Sequence, residues 1–173
     1  MATKYKLHNF TQLKGREIFV DANVIIYLFW PSAQHAFEQN YAHVFRNLLR
    51  QGNKMFTDFL VISEVVNRVV RIEREKLNPT QKFKDFRNSP QGKKALEDIY
   101  IIVRHDILKH FQIIGKNIQK QDVENFLTVD GLDFIDKAIE SICQENSFVL
   151  LTNDKDFKNS NLEILTGNPN IFN

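Results

Sequence analysis

The chain has 173 residues, 43% hydrophobic and 25% charged, and its 23 Lys and Arg against 21 Asp and Glu leave a net charge of +2. This is the make-up of an ordinary globular protein able to bury a core of its own, and it excludes disordered, collagen-like and disulfide-framed classes. A balance this even does not announce nucleic acid, so any such argument must come from where the charges sit.

Residues 1–16 are polar and basic, end in Lys14-Gly15-Arg16, and read as an N-terminal arm or short helix. The run over 17–21 is rich in β-branched and aromatic residues and reads as a buried strand, closed by Asp21. Pro31 breaks the apolar stretch after it, where Phe29 and Trp30 suit a core or a stacked base, and Ser32 can cap a new helix. Phe37, Tyr41, Val44, Phe45, Leu48 and Leu49 recur at helical spacing up to Gln51-Gly52-Asn53. A second strand covers 54–57. Thr57 or Asp58 then caps a helix whose buried stripe is Phe59, Ile62, Val66 and Val69.

Asn78-Pro79-Thr80 marks a turn, 80–92 is polar with a break at Ser89-Pro90-Gln91-Gly92, and a helix is expected from about Lys93 to Lys109. Phe111 to Ile114 reads as a third strand, 119–127 as a short helix, and Phe134 to Asn146 as an amphipathic one. Phe148 to Thr152 is a continuous apolar strand, and Leu162 to Leu165 the last. Strands alternating with helices predict an α/β fold with a mainly parallel sheet covered on both sides, in one domain over 1–173 with a helical middle region at 71–128. Cys143, the only cysteine, lies among Ile139, Ile142 and Phe148 and reads as a small buried side chain. No apolar run reaches the ~18 residues of a membrane helix and none follows a basic start, so the expected location is cytoplasmic.

The acids are placed suggestively. Asp21 closes the first strand and Asp154 follows the strand at 148–152. Asp136 lies in the first turns of the helix feeding that strand, and Glu64 about two turns into the helix after the second. In βαβ units these helices start at the carboxyl edge of the sheet, where ligands bind. Simpler roles exist: Glu64 with Arg68 is an ordinary helix pair, Asp133 an N-cap, Asp154 and Asp156 turn residues. Four acids on one rim repel unless neutralised, and a divalent cation is the expected remedy. The five histidines are scattered, so an all-oxygen set points to Mg²⁺ or Mn²⁺ rather than Zn²⁺. Arg68 and Arg71 could hold flanking phosphates, or be solvated helix charges.

Four segments carry a resemblance. Val20-Asp21-Ala22-Asn23-Val24-Ile25, Ser63-Glu64-Val65-Val66-Asn67-Arg68, Asp133-Phe134-Ile135-Asp136-Lys137-Ala138-Ile139 and Leu151-Thr152-Asn153-Asp154-Lys155-Asp156-Phe157 occur in the order of the PIN-domain ribonuclease motifs, and the chain resembles that family. The resemblance implies a three-layer fold with a five-stranded parallel sheet in the order 3-2-1-4-5. It implies metal ligation and catalysis by Asp21, Glu64, Asp136 and Asp154, with Asn23, Asp133 and Asp156 in support. It also implies an RNA substrate, homodimers and, in the VapC-like toxin branch, a cognate antitoxin. Two alternatives stand beside this reading: a PIN-like module that binds RNA or a partner without turnover, and a phosphatase using Asp21 as nucleophile. The latter usually wants a second acid where Asn23 stands.

Overall fold

The structure, a computed structural model, describes residues 2–30 and 36–172, and of Ala36 and Phe37 the backbone alone. The break expected at Pro31, the cap at Ser32 and the side chain of Phe37 lie outside those residues.

Six parallel strands form one sheet: β1 (Lys4–Lys6), β2 (Ile18–Val20), β3 (Met55–Asp58), β4 (Phe111–Ile114), β5 (Val149–Leu151) and β6 (Ile164–Thr166). They lie in the order β1-β6-β5-β2-β3-β4. The five expected strands keep the expected order, with β2 central between β5 and β3. The sixth corrects part of the reading of 1–16 as an arm or short helix: Lys4-Tyr5-Lys6 pairs with Ile164-Leu165-Thr166 at the sheet edge, while Leu7–Leu13 after it does form a short 3₁₀ helix. A strand so short and charged escapes pattern reading, yet those are the features that protect an exposed edge from further pairing. The Tyr5 hydroxyl donates to Glu163 at 2.9 Å, Arg16 pairs with the same carboxylate, and the Lys4 ammonium donates to the Ser160 and Leu162 carbonyls.

The helices are α1 (Ala22–Phe29), α2 (Ala36–Arg50), α3 (Phe59–Leu77), α4 (Phe83–Asn88), α5 (Pro90–Ile102), α6 (Leu108–His110), α7 (Lys120–Phe126) and α8 (Phe134–Asn146). The chain moves from β2 to β3 to β4 and then returns past β2 to β5. Right-handed crossovers therefore set α1–α6 on one face and α7 and α8 on the other. One apolar cluster runs through the layers, with Ile18, Phe19, Val20, Val149, Leu150 and Leu151 at its centre, and Cys143 is buried in it.

Two helices differ from expectation. In α3 the deeply buried positions are Val61, Val65, Val69 and Val70, while Phe59 is 74% exposed. Apolar residues flank both registers, so periodicity alone could not choose between them. The cap is Asp58, which accepts from the Val61 N–H at 2.7 Å, while the Thr57 hydroxyl donates to the Val20 carbonyl. The helix expected from Lys93 begins at Pro90 under a Ser89 cap and continues through a π-helical turn at Val103–Ile107. Gly92 lets α5 abut α4, because a Cβ there would stand 2.0 Å from the Phe86 carbonyl oxygen.

Candidate functional site

Because every strand runs the same way, all six carboxyl ends open on one edge, and β2 beside β5 is where the strand order reverses. Asp21 directly follows β2 and caps α1; Thr152 to Asp154 directly follow β5. α3 and α8 start from the same edge, bringing Glu64 in the second turn of one and Asp136 in the first turn of the other. Four segments distant in sequence thus converge for topological reasons.

Asp21 is 5% exposed and heavily bonded. Its Oδ1 accepts from the Ala22 N–H at 2.6 Å, while Oδ2 accepts from the Asn23 amide at 2.8 Å and the Thr152 hydroxyl at 2.6 Å. A carboxylate has about four lone-pair positions, so these three donors leave one open, on Oδ1. Thr152 is fully buried, and its oxygen also accepts from the Asp154 N–H at 2.9 Å. It therefore joins the first acid to the turn that carries the last. Asn23 completes the brace, its side-chain oxygen accepting from the Asn153 N–H at 3.1 Å.

The electrostatics record the crowding. Burial first, then the charges of Glu64 and Asp154, push the Asp21 carboxyl up to about 6 against the pull of the Thr152 hydrogen bond. Asp136 is pushed up to about 7 by burial and then by the charges of Asp133, Asp21 and Asp154. Each of the four predicted acids is thus within electrostatic reach of another: Asp21 of Glu64, Asp136 and Asp154, and Asp136 also of Asp154. One buried and one half-buried carboxyl that resist ionisation near each other, with no His among the four acids, form a hard-oxygen donor set suited to a divalent cation. The fit is chemical rather than preformed: among the described residues no three His, Cys, Asp or Glu side chains already stand in metal-holding geometry.

The supporting residues divide. Asp133 caps α8, accepting from the Ile135 and Asp136 N–H groups at 2.8 Å each, and so fixes where Asp136 starts. Asp154 caps a short 3₁₀ turn by accepting from the Asp156 N–H, and the Asp156 side chain lies exposed in a shallow depression with Lys155 and Lys158. Glu64 accepts from Arg68 at 3.1 Å, and the Arg68 charge reaches Tyr27 at the rim. Arg71 is placed elsewhere, over the Phe83 ring at 4.2 Å. Phe29 packs edge-on against Phe45 and Phe111, the Trp30 indole donates to Glu73, and both side chains are half-buried against the core.

Sequence reading passed over the residues that brace the acids. Thr152 ends an apolar run with a hydroxyl, a signal visible in the sequence but read only as part of the strand. Tyr41 sits on the apolar face of α2 with its hydroxyl donating to Thr152 O at 3.1 Å and Asn153 Oδ1 at 2.9 Å, and burial lifts its phenol to about 12. Glu38 is also buried on α2, one turn before Tyr41, and its charge, with that of Asp21, adds to the burial that raises the Tyr27 phenol. An acid on an apolar stripe was the available signal.

A sequence model of the PIN domain family matches residues 18–161, most of the chain. No curated protein matches the sequence. Among solved structures, the fold is similar to a chain in the crystal structure of VapBC2 from Rickettsia felis bound to a DNA fragment from their promoter. The TM-score is 0.50 and the identity 15%, over 86% of this chain and 97% of that one. At that identity the likeness is one of fold.

Proposed function

The chain belongs to the PIN domain family, and from that premise we propose that it is a Mg²⁺- or Mn²⁺-dependent endoribonuclease acting at Asp21, Glu64, Asp136 and Asp154. The observation that carries the reading is the gathering of these acids at one sheet edge, where burial first and then their mutual charge lift Asp21 to about 6 and Asp136 to about 7. The chemistry such an ion supplies is the acidification of water and the stabilisation of charge on the phosphate.

The protein's own share is positioning. Thr152 and Asn23 hold Asp21 with Oδ1 open to the crevice, and the Asp133 cap fixes the start of the helix that presents Asp136. Asp154 is held by its own N–H on Thr152, so moving one acid moves the other. Arg68, half-exposed beside Glu64, is the cation nearest these acids along α3 and is suited to a substrate phosphate. Asn23 donates to Asp21 where an aspartyl-phosphate enzyme usually carries its second acid, which favours hydrolysis over covalent catalysis.

We extend the proposal to biology as the toxin of a VapBC-type pair, a cytoplasmic homodimer neutralised by a cognate antitoxin. Support for this is the fold shared with VapBC2. No helix among the described residues is long and apolar enough to cross a membrane.

The test is cleavage of labelled single-stranded RNA with Mn²⁺, with a chelator, and by Asp21→Asn. The expected result is cleavage in Mn²⁺ alone, leaving 5′-phosphate ends, and loss of at least a thousandfold in the variant. Cleavage that persists in the chelator or in Asp21→Asn refutes the assignment. Growth arrest on expression, relieved by the product of a neighbouring reading frame, tests the toxin role.

A further inference from the structure

The same sheet edge carries a second, chemically opposite feature. Beyond β5, where β6 ends at Thr166 and β1 at Lys6, lies a cavity of about 630 Å³. Its polar groups include Lys6, His8, Asn40, His43 and Thr166, its aromatic walls are Phe10 and Phe172, and among the described residues no carboxylate side chain lines it. The Lys6 ammonium lies 5.7 Å from the centre of the Phe172 ring, and Phe10 meets His43 edge-on at 6.4 Å. At about 4.8 Å per strand, the cavity lies roughly 10–15 Å along the edge from Asp21, which follows β2, and about 5–10 Å from Asp154, which follows β5.

The cavity and the acids share a scaffold. The Gly167 N–H, in the cavity wall, donates at 2.8 Å to the Tyr41 hydroxyl that also holds Thr152 and Asn153. Gly167 is also where the wall closes on the N-terminal segment: a Cβ there would stand 2.9 Å from Leu7 Cδ1. The pocket is walled by the end of β1 and the 3₁₀ helix after it (Leu7–Leu13), by α2, and by the segment from Thr166 to Phe172; the first and last of these lie outside the family match over 18–161.

Aromatic faces beside a cation, with no acid to repel phosphate, are the means by which proteins hold single-stranded nucleic acid: the base stacks on the ring and the backbone meets the charge. The volume falls within the ~300–1,000 Å³ of small-molecule sites and admits one nucleotide unit. Acids alone cannot retain an RNA strand, since they repel its phosphates. A basic, aromatic pocket farther along the edge supplies the missing attraction.

We propose that this cavity is a nucleotide subsite, holding one base of single-stranded RNA a few nucleotides from the bond at the acids. This rests on the nuclease reading for its substrate, but not for its binding chemistry. The experiment uses the full-length chain carrying Asp21→Asn, with a chelator, and fluorescence anisotropy of a labelled single-stranded RNA oligonucleotide. Phe172→Ala weakens binding by about tenfold, the scale of one lost stacking contact, and Phe172→Trp restores it. Lys6→Gln lowers the slope of log affinity against log salt by about 0.7, as one lost phosphate contact on a single strand does. Both side chains are exposed, and a thermal melt checks that each variant is folded.

Unchanged affinity and salt slope in the Lys6→Gln/Phe172→Ala double variant overturn the subsite. So does duplex RNA that binds as tightly and with the same dependence on Phe172. If the wild-type chain binds RNA through this pocket but cleaves none, the subsite stands and the nuclease reading falls. If it cleaves RNA while the double variant binds normally, the subsite alone falls.

Discussion

Replacing Asp136 with asparagine should stabilise the metal-free protein at alkaline pH. The Asp136 carboxyl titrates at about 7 in the fold, against about 3.9 in an unfolded chain. Its folded value is raised, so the folded state holds the proton more tightly. The carboxyl therefore carries no penalty below about pH 4, and the penalty grows as pH rises through 7. A shift of about three units at about 1.4 kcal/mol each gives a ceiling near 4 kcal/mol. Asp136 keeps part of its surface in water, which screens its neighbours, so roughly half, about 2 kcal/mol, is the working figure. For a chain of this length that is about 4–8 °C in Tm. The Asp136 carboxylate accepts from the Asp133 backbone N–H, a bond that the side-chain oxygen of asparagine can keep.

Thermal melts of both proteins in a chelator, near pH 4 and near pH 8, measure the effect directly. Asp136→Asn should melt with wild type in acid and several degrees above it in base. Adding Mn²⁺ should reverse the order, because an ion at about a hundred times its Kd contributes about 3 kcal/mol to the protein that binds it. If Asp136→Asn melts at or below wild type near pH 8 without metal, Asp136 is not in conflict with Asp133, Asp21 and Asp154, and the crowded-acid argument fails.

Other substitutions separate the brace from the acids. Thr152→Val removes the 2.6 Å hydrogen bond to Asp21 and should cost about 1–3 kcal/mol by leaving a buried acceptor short of a partner, with Mn²⁺ affinity falling at least tenfold by calorimetry; Thr152→Ser should retain most of both. Tyr41→Phe should lower stability by about 1–2 kcal/mol in urea titrations, because the Thr152 and Asn153 groups and the Gly167 N–H lose a common partner. Arg68→Ala should reduce the salt dependence of RNA binding by anisotropy, while Arg71→Ala, whose side chain is held on Phe83, should change it less. Gly92→Ala should destabilise by about 2 kcal/mol or more, since the added methyl meets backbone rather than a movable side chain.

Much of the fold was legible because its strands are apolar runs bounded by helical periodicity. Central parallel strands such as Phe148 to Leu151 have no solvent face, so nothing interrupts them. What escaped was set by tertiary contact. Lys4-Tyr5-Lys6 becomes a strand only because β6 offers it an edge, and the buried face of α3 was ambiguous because Phe59, Val61 and Ile62 are all apolar. Asp21 was visible as a charge where a core does not tolerate one, and Glu64, Asp136 and Asp154 by their expected placement at the same edge and by the order of the motifs that carry them. Thr152, Tyr41 and Asn153 were not, because a hydroxyl or amide at the end of an apolar run has many uses, and only the fold shows which oxygen it reaches.

The braces also account for why the acids can be kept together at all. Asp21 and Asp136 are each raised above the range where a carboxylate ionises freely, so the cluster opposes folding at neutral pH. That opposition is offset locally: the Ala22 N–H, the Asn23 amide and the Thr152 hydroxyl all stabilise the charged form of Asp21. None of the three would be needed around an apolar side chain, and each is itself fixed by the backbone of β5 or α1. Such an arrangement retains strain that a stabler core would discard, as sites that act on a ligand do. The residues that raise the acids and those that hold them therefore have opposite signatures. Removing the Asp136 charge should raise stability and abolish activity, whereas removing a brace should lower both.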